Sequence, residues 1–430
     1  MDLASNKWLH RLIEQFKKNY KENFSELRHL YACDGEATNF LYKTLHISGL
    51  LFGHPTKPLF SYHPEFEEWP NNEKMKYIFT EALYHIYFFE HKNEINTIDD
   101  KAVDILFKKA TEHILTFFIK YTPEDDEIGA FNFLALFSKK DDSYQHLEKI
   151  IDRRINFILM TRMKYWTGAS YNTFIFLDLV YYTLSMEVAS KQYYRKHEAV
   201  QLQILKIIIA AFLSKEALLW KDRNILNYFL SSAIVSESSQ KRISRYLEKG
   251  LTLDEIQFTA ELHPIFHLIF LEIGIVAVLS DKFKADIDQQ YISKLAEKLD
   301  IDHETLENSY LMVESFMDKN GKDVLYLKEK HKMNMFSSSV NERLLSMIKK
   351  NKAKIIREIS ESKELVELLL KAQNTQLTKA EKDKVKEQIT DLFRTIPSLA
   401  IFMIPGGSLI LPVIYKILPE ELMKPSSFRN

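Results

Sequence analysis

Between Pro123 and Pro264 the chain contains no proline, and only ten of its 430 residues are glycine. Such a stretch leaves helices free to run uninterrupted, and scarce glycine removes the usual material of tight turns and hairpins. Leu, Ile, Phe, Lys and Glu recur at spacings near 3.6 along the chain. No stretch shows apolar/polar alternation bounded by turn residues. The fold class implied is all-α: a multi-helix body followed by a proline-broken apolar segment at the C-terminus.

Start signals agree with this. Thr252 with Glu255, directly after Gly250, has capping-box spacing, as do Asp286 with Gln289 and Thr378 with Glu381. Trp8, Leu9, Leu12, Ile13, Phe16 and Tyr20 share one face of a first helix, read as docking on the core rather than on a membrane surface. Apolar runs at 174–186, 204–213 and 268–279 are shorter than the ~20 residues that span a bilayer. The first and third hold an internal acid, Asp178 and Glu272, and all three read as buried core helices. Pro55, Pro58, Pro64 and Pro70 mark a loop joining the first helices to the rest. Three regions result: an N-terminal helical region at 1–199, a helical bundle at 200–320, and a basic helix with the apolar segment at 321–430.

Composition narrows function. Hydrophobic residues make up 46% and charged residues 27%, a globular balance, and the net charge of −1 argues against a whole-chain footprint on nucleic acid, so no DNA partner is expected. Cys33 is the single cysteine, which excludes an internal disulfide and a Cys-based zinc site and fits a reducing compartment. It reads as a small packed residue. The first residues lack the apolar core and cleavage site of a signal peptide.

Two pairs at helical spacing, Glu81 with His85 and His263 with His267, could begin a metal site. Zinc needs three or four ligands, and nothing supplies the rest at a diagnostic spacing; His263, before Pro264, is more simply read at a helix start. No phosphate-binding loop, nucleophile elbow or zinc-protease helix is present. No catalytic residue, metal or cofactor is expected, and the protein reads as a non-enzyme.

The part of the bundle up to about 318 ends in an apolar helix, a short acidic loop, an amphipathic helix, a second loop and another helix. This layout resembles the TerB-like tellurite-resistance fold, with Asp281, Asp286 and Asp288 on the ground of that family's acidic loop. The family's Asp-Gly step is absent, since Lys282 follows Asp281, and the plainer reading is an N-cap at Asp286 with solvated charges beside it.

Further on, Lys349, Lys350, Lys352, Lys354 and Arg357 follow one another with no acid among them. Such a run beside an apolar segment can contact anionic lipid headgroups at about 1 kcal/mol per basic residue. It could equally touch RNA phosphates, or form a solvated helix face.

Residues 395–415 carry no charge and would measure ~31 Å as a helix, the thickness of a bilayer's hydrocarbon core. Arg394 and Lys416 flank them, placed to snorkel to either interface. Pro397, Pro405, Pro412 and Pro419 recur two helical turns apart, so their bends would add on one side. Each internal proline frees a carbonyl that needs a partner in lipid, so a kinked span and a set of short helices buried against the body both remain open.

From Leu377 onward, Asp391, Arg394, Pro397, Phe402, Pro405, Leu411, Pro412, Lys416, Pro419 and the terminal Pro425, Ser426, Ser427 and Phe428 together resemble the LETM family. That family comprises mitochondrial inner-membrane proteins and related bacterial proteins, including a bacterial group named for association with biofilms. The resemblance implies that this stretch is the membrane segment, linked in the relatives to cation/proton exchange and followed by a ribosome-binding domain. Ser408 stands where the family's Pro-x-x-Glu step carries an acid, the natural intramembrane cation carrier.

The expectation is a LETM-like helical protein, attached at the cytoplasmic face of a membrane by its C-terminal segment. By resemblance it would serve cation homeostasis, or hold a ribosome or another partner at the bilayer. The alternative is a soluble TerB-like stress- or metal-responsive module, with the tail packed in its core.

Overall fold

The computed structural model describes residues 3–33, 35–61, 63–95, 99–121, 142–156, 171–187, 197–213, 224–258, 262–280, 285–324, 326–327, 343, 345–346, 348–375, 377–378, 380–381, 384–385 and 388–389. These residues form helices joined by turns, and no strand occurs among them, so the fold is all-α. The chain divides into two compact units, one of residues 1–302 with 319–331, the other of residues 303–318 with 332–430.

The first unit holds α1 (Trp8–Glu22), α2 (Phe24–Cys33), α3 (Ala37–Ser48), α4 (Asn71–Glu90), α5 (Asp100–Tyr121), α6 (Ser143–Ile155), α7 (Phe176–Glu187), α8 (His197–Leu213), α9 (Asn224–Leu230), α10 (Glu237–Lys249), α11 (Pro264–Leu279) and α12 (Ala285–Lys298). The six apolar residues expected to share a face of α1 are the ones it buries. That face packs on α5 and α6. The start of α1 is unusual: Lys7 at the N-cap has φ 60° and offers no side-chain cap. The orphan donors are met from a distance, because Glu148 of α6 accepts from the Lys7 and Leu9 amides at 2.9 and 2.8 Å. Asp152, one turn on, takes the Trp8 indole N–H at 3.1 Å.

The three apolar runs became α7, α8 and α11, each buried along most of its length. Helix α11 packs between α8 and α12, and a side chain at Gly274 would collide with Leu295 of α12. Its start confirms the expectation for His263, whose ring accepts from the Ile265 amide ahead of Pro264. The proline-rich stretch runs as the connection from α3 to α4, with Pro70 at the α4 N-cap.

Capping boxes were met unevenly. Gly250 closes α10 with φ 87°, and Thr252 and Glu255 do form a reciprocal box. The box opens a three-residue 3₁₀ turn, not an α-helix. Helix α12 already includes Ala285, two residues earlier than an N-cap at Asp286 requires; the Asp286 side chain and all of Asp281 lie outside the described residues, as does the Cys33 side chain.

The second unit holds α13 (His303–Asn320) up to residue 318, α14 (Lys352–Glu361) and α15 (Lys363–Asn374). Arg343 lies 3.2 Å from Glu314 and over the Tyr310 ring, tying its own segment to α13.

Candidate functional site

The residues leading into the C-terminal segment are tied to α15 by side-chain links. Ser362 ends α14 and caps α15, its hydroxyl accepting from the Leu365 amide. The same hydroxyl donates to Gln388 at 2.8 Å, and Glu364 accepts from Lys384 and Gln388 at 2.7 Å each. Lys371 pairs with Glu381, which also closes the expected box with Thr378 through the Thr378 amide and hydroxyl at 2.9 Å. The Lys371 ammonium, and after it the Thr378 donors, hold the Glu381 carboxyl down to about 2. Leu365, Leu369, Val385 and Ile389 are buried beneath these polar links. The described residues between 378 and 389 therefore lie along α15.

The basic run does not act as one face. Ile355 and Ile359 turn inward and fix the orientation of α14. Lys349, Lys350 and Lys352 are exposed with no ion pair or hydrogen bond among the described residues. Lys354 is half-buried, and Arg357 lies within 3.9 and 4.0 Å of Glu358 and Glu361. The free positive charge is thus concentrated at the start of α14. The motif residues Asp391, Arg394, Pro397, Phe402, Pro405, Leu411, Pro412, Lys416, Pro419, Pro425, Ser427 and Phe428 all lie outside the described residues.

Of the residues considered as metal ligands, Glu81, His85 and His263 have structural work. Glu81 is buried on α4 and accepts from the amides of Leu59, Phe60 and Ser61 at 2.6, 3.1 and 2.7 Å, and from the Ser61 hydroxyl. It holds the proline-rich connection against the core. Burial pushes its carboxyl up to about 7, against the pull of those donors. His85, one turn on, bonds to the Tyr31 hydroxyl, and burial lowers it to about 3. Among the described residues no group of three or more His, Cys, Asp or Glu side chains is placed to hold a metal. Asp288 is buried, with only 1% of its surface exposed.

Sequence reasoning missed the buried ionic networks. Arg154 of α6 grips Asp178 of α7 through Nε at 2.7 Å and a second guanidinium nitrogen. His197 stands 3.8 Å from the same carboxylate, lowered to about 3 by burial and then by Arg154. Its Nδ1 meets Gln201 at 2.9 Å, and Gln201 accepts from the Ile234 amide. Glu272 of α11 faces His46 at 2.7 Å, out of hydrogen-bond alignment, and accepts from the Tyr42 hydroxyl. The internal acids of apolar runs were the available signal; their partners left none.

An all-α chain whose polar interior serves packing, with exposed lysines ahead of its C-terminal segment, is the class that fold and site define. Residues 377–430, about an eighth of the chain, match the family described as LETM1-like, RBD. The C-terminal segment is LETM-like. No curated protein and no solved structure matches the chain. Resemblance alone had set the family's ribosome-binding part after the apolar stretch; the RBD-type match instead covers that stretch itself. No comparison supports a TerB-like fold for 200–318. Among the described residues no helix is long and apolar enough to cross a membrane, and 395–415 lie outside that search.

Proposed function

We propose that the protein is a non-enzymatic, LETM-like helical protein that attaches to the cytoplasmic face of a membrane through its C-terminal segment. The observation that carries this reading is the family match over 377–430, which contains the uncharged stretch 395–415 between Arg394 and Lys416. Supporting it, Lys349, Lys350 and Lys352 present free cations shortly upstream, suited to anionic headgroups. Attachment of a ribosome or another partner to the bilayer follows as the finer role, and cation homeostasis as a second. Cation exchange has the weaker basis, because Ser408 offers no carboxylate where the family carries its acid.

Vesicle flotation tests the reading. The full chain should float with anionic vesicles, and removal of 395–430 should abolish flotation. Replacing Lys349, Lys350 and Lys352 by Gln should weaken binding to anionic vesicles about a hundredfold, at ~1 kcal/mol per charge, and leave binding to neutral vesicles unchanged. A full chain that ignores both kinds of vesicle contradicts it.

A further inference from the structure

Helices α8, α10 and α12 and the 250–255 turn bound an open cleft of about 930 Å³ within the first unit. That volume belongs to the range of small-molecule sites. The wall is part apolar: Ile287 of α12 is 37% exposed, one of three large aliphatic side chains so exposed among the described residues, and Tyr246 of α10 is half-buried beside it.

The charges on the rim are unequal. Glu255 is occupied by the Thr252 amide and hydroxyl at 2.7 and 2.8 Å. Asp254 is paired with Lys294 at 2.5 Å. Both carboxylates are therefore answered within the protein. Arg245 and Lys249, one helical turn apart on α10, are exposed and have no ion pair or hydrogen bond among the described residues. Lys249 lies in the last turn of α10, where the helix dipole accounts for a cation. Arg245 stands a turn earlier, and its guanidinium is suited to a planar anion such as carboxylate, phosphate or sulfonate.

We propose that this cleft binds a small organic anion, its charged group against Arg245 and Lys249 and its apolar body against Tyr246 and Ile287. The shared chemistry is one anionic head on an apolar frame. The size of the cleft selects a small molecule over a macromolecule, and the two cations without an ion pair among the described residues select the sign. This assignment is independent of the membrane reading, since every residue in it belongs to the first unit.

Anilinonaphthalene sulfonate, an apolar sulfonate whose fluorescence rises on burial, is a direct probe on the full-length protein. Saturable binding is expected. Arg245→Gln with Lys249→Gln should weaken it at least tenfold, with circular dichroism unchanged because neither side chain has an ion pair or hydrogen bond to lose among the described residues. Ile287→Gln should weaken binding of the sulfonate and of its uncharged parent, phenylnaphthylamine, while the double charge variant should spare the uncharged probe. Any signal from the C-terminal segment is common to all variants and subtracts. Affinity unchanged in the double variant, or no saturable difference between it and the parent, overturns the proposal.

Discussion

Buried charges in this protein are paired across long stretches of sequence, and their chemistry sets how the fold responds to substitution and pH. Asp178 is fully buried and answered by Arg154. Arg154→Ala leaves an uncompensated carboxylate in the core and should cost about 3–5 kcal/mol in chemical denaturation. Arg154→Ala with Asp178→Leu should recover much of that loss. His85 and His197, each lowered from 6.5 to about 3, stay neutral when folded and take up protons when unfolded. Their stabilisation is present above about pH 6.5 and lost as pH falls below it. Glu81, raised from 4.5 to about 7, has the opposite sign: its contribution is present below about 4.5 and lost as pH rises through 7. Two histidines outweigh one carboxyl, so stability should drop by about 2 kcal/mol between pH 6.5 and 5. In the variant with His85 and His197 both changed to Gln, the slope should reverse, because Glu81 remains. A parent stability that rises on acidification over that interval contradicts the assignment. The sequence marked Asp178 and Glu272 as interior acids, but Tyr42 lies 230 residues from Glu272 in the chain, and such a pairing has no period to detect.

Local signals carried the elements well where packing agreed with them. The face of α1 was readable because its six apolar residues follow one helical stripe, and α7, α8 and α11 because they are apolar almost throughout. Cap signals were weaker guides, since a box closes locally whatever follows it: Thr252 starts only a 3₁₀ turn. The cap on α1 could not be read at all, because Glu148 comes from α6. Glu148→Gln, which loses the charge facing the Lys7 and Leu9 amides, should destabilise the start of α1 by about 1 kcal/mol, seen as faster amide exchange at Leu9. Gly49 sits in a tight turn, with φ 72° and the His54 carbonyl in the path of any Cβ. Gly49→Ala should therefore destabilise by more than the ~1 kcal/mol of a positive-φ replacement alone.

For the molecule as a whole, the sequence conveyed the class of fold and the LETM-like character of the tail, and it overestimated the basic run. Of the five cations between 349 and 357, three are free of ion pairs among the described residues, since Arg357 turns toward Glu358 and Glu361 and Lys354 is half-buried. Which way a charge faces depends on Ile355 and Ile359, whose burial fixes the helix rotation. The cationic cleft beside α10 was invisible for the same reason: its walls come from residues far apart in the chain.

The central proposal is that the C-terminal segment attaches the protein to the bilayer. It is tested most directly by placing an environment-sensitive fluorophore on Ile404→Cys in a Cys33→Ser background and adding vesicles whose acyl chains are brominated. Attachment through the segment should give blue-shifted emission that the brominated chains quench, while the same label at Ser238→Cys, on exposed α10, stays unquenched. Emission at residue 404 that is indifferent to brominated lipid would contradict the claim.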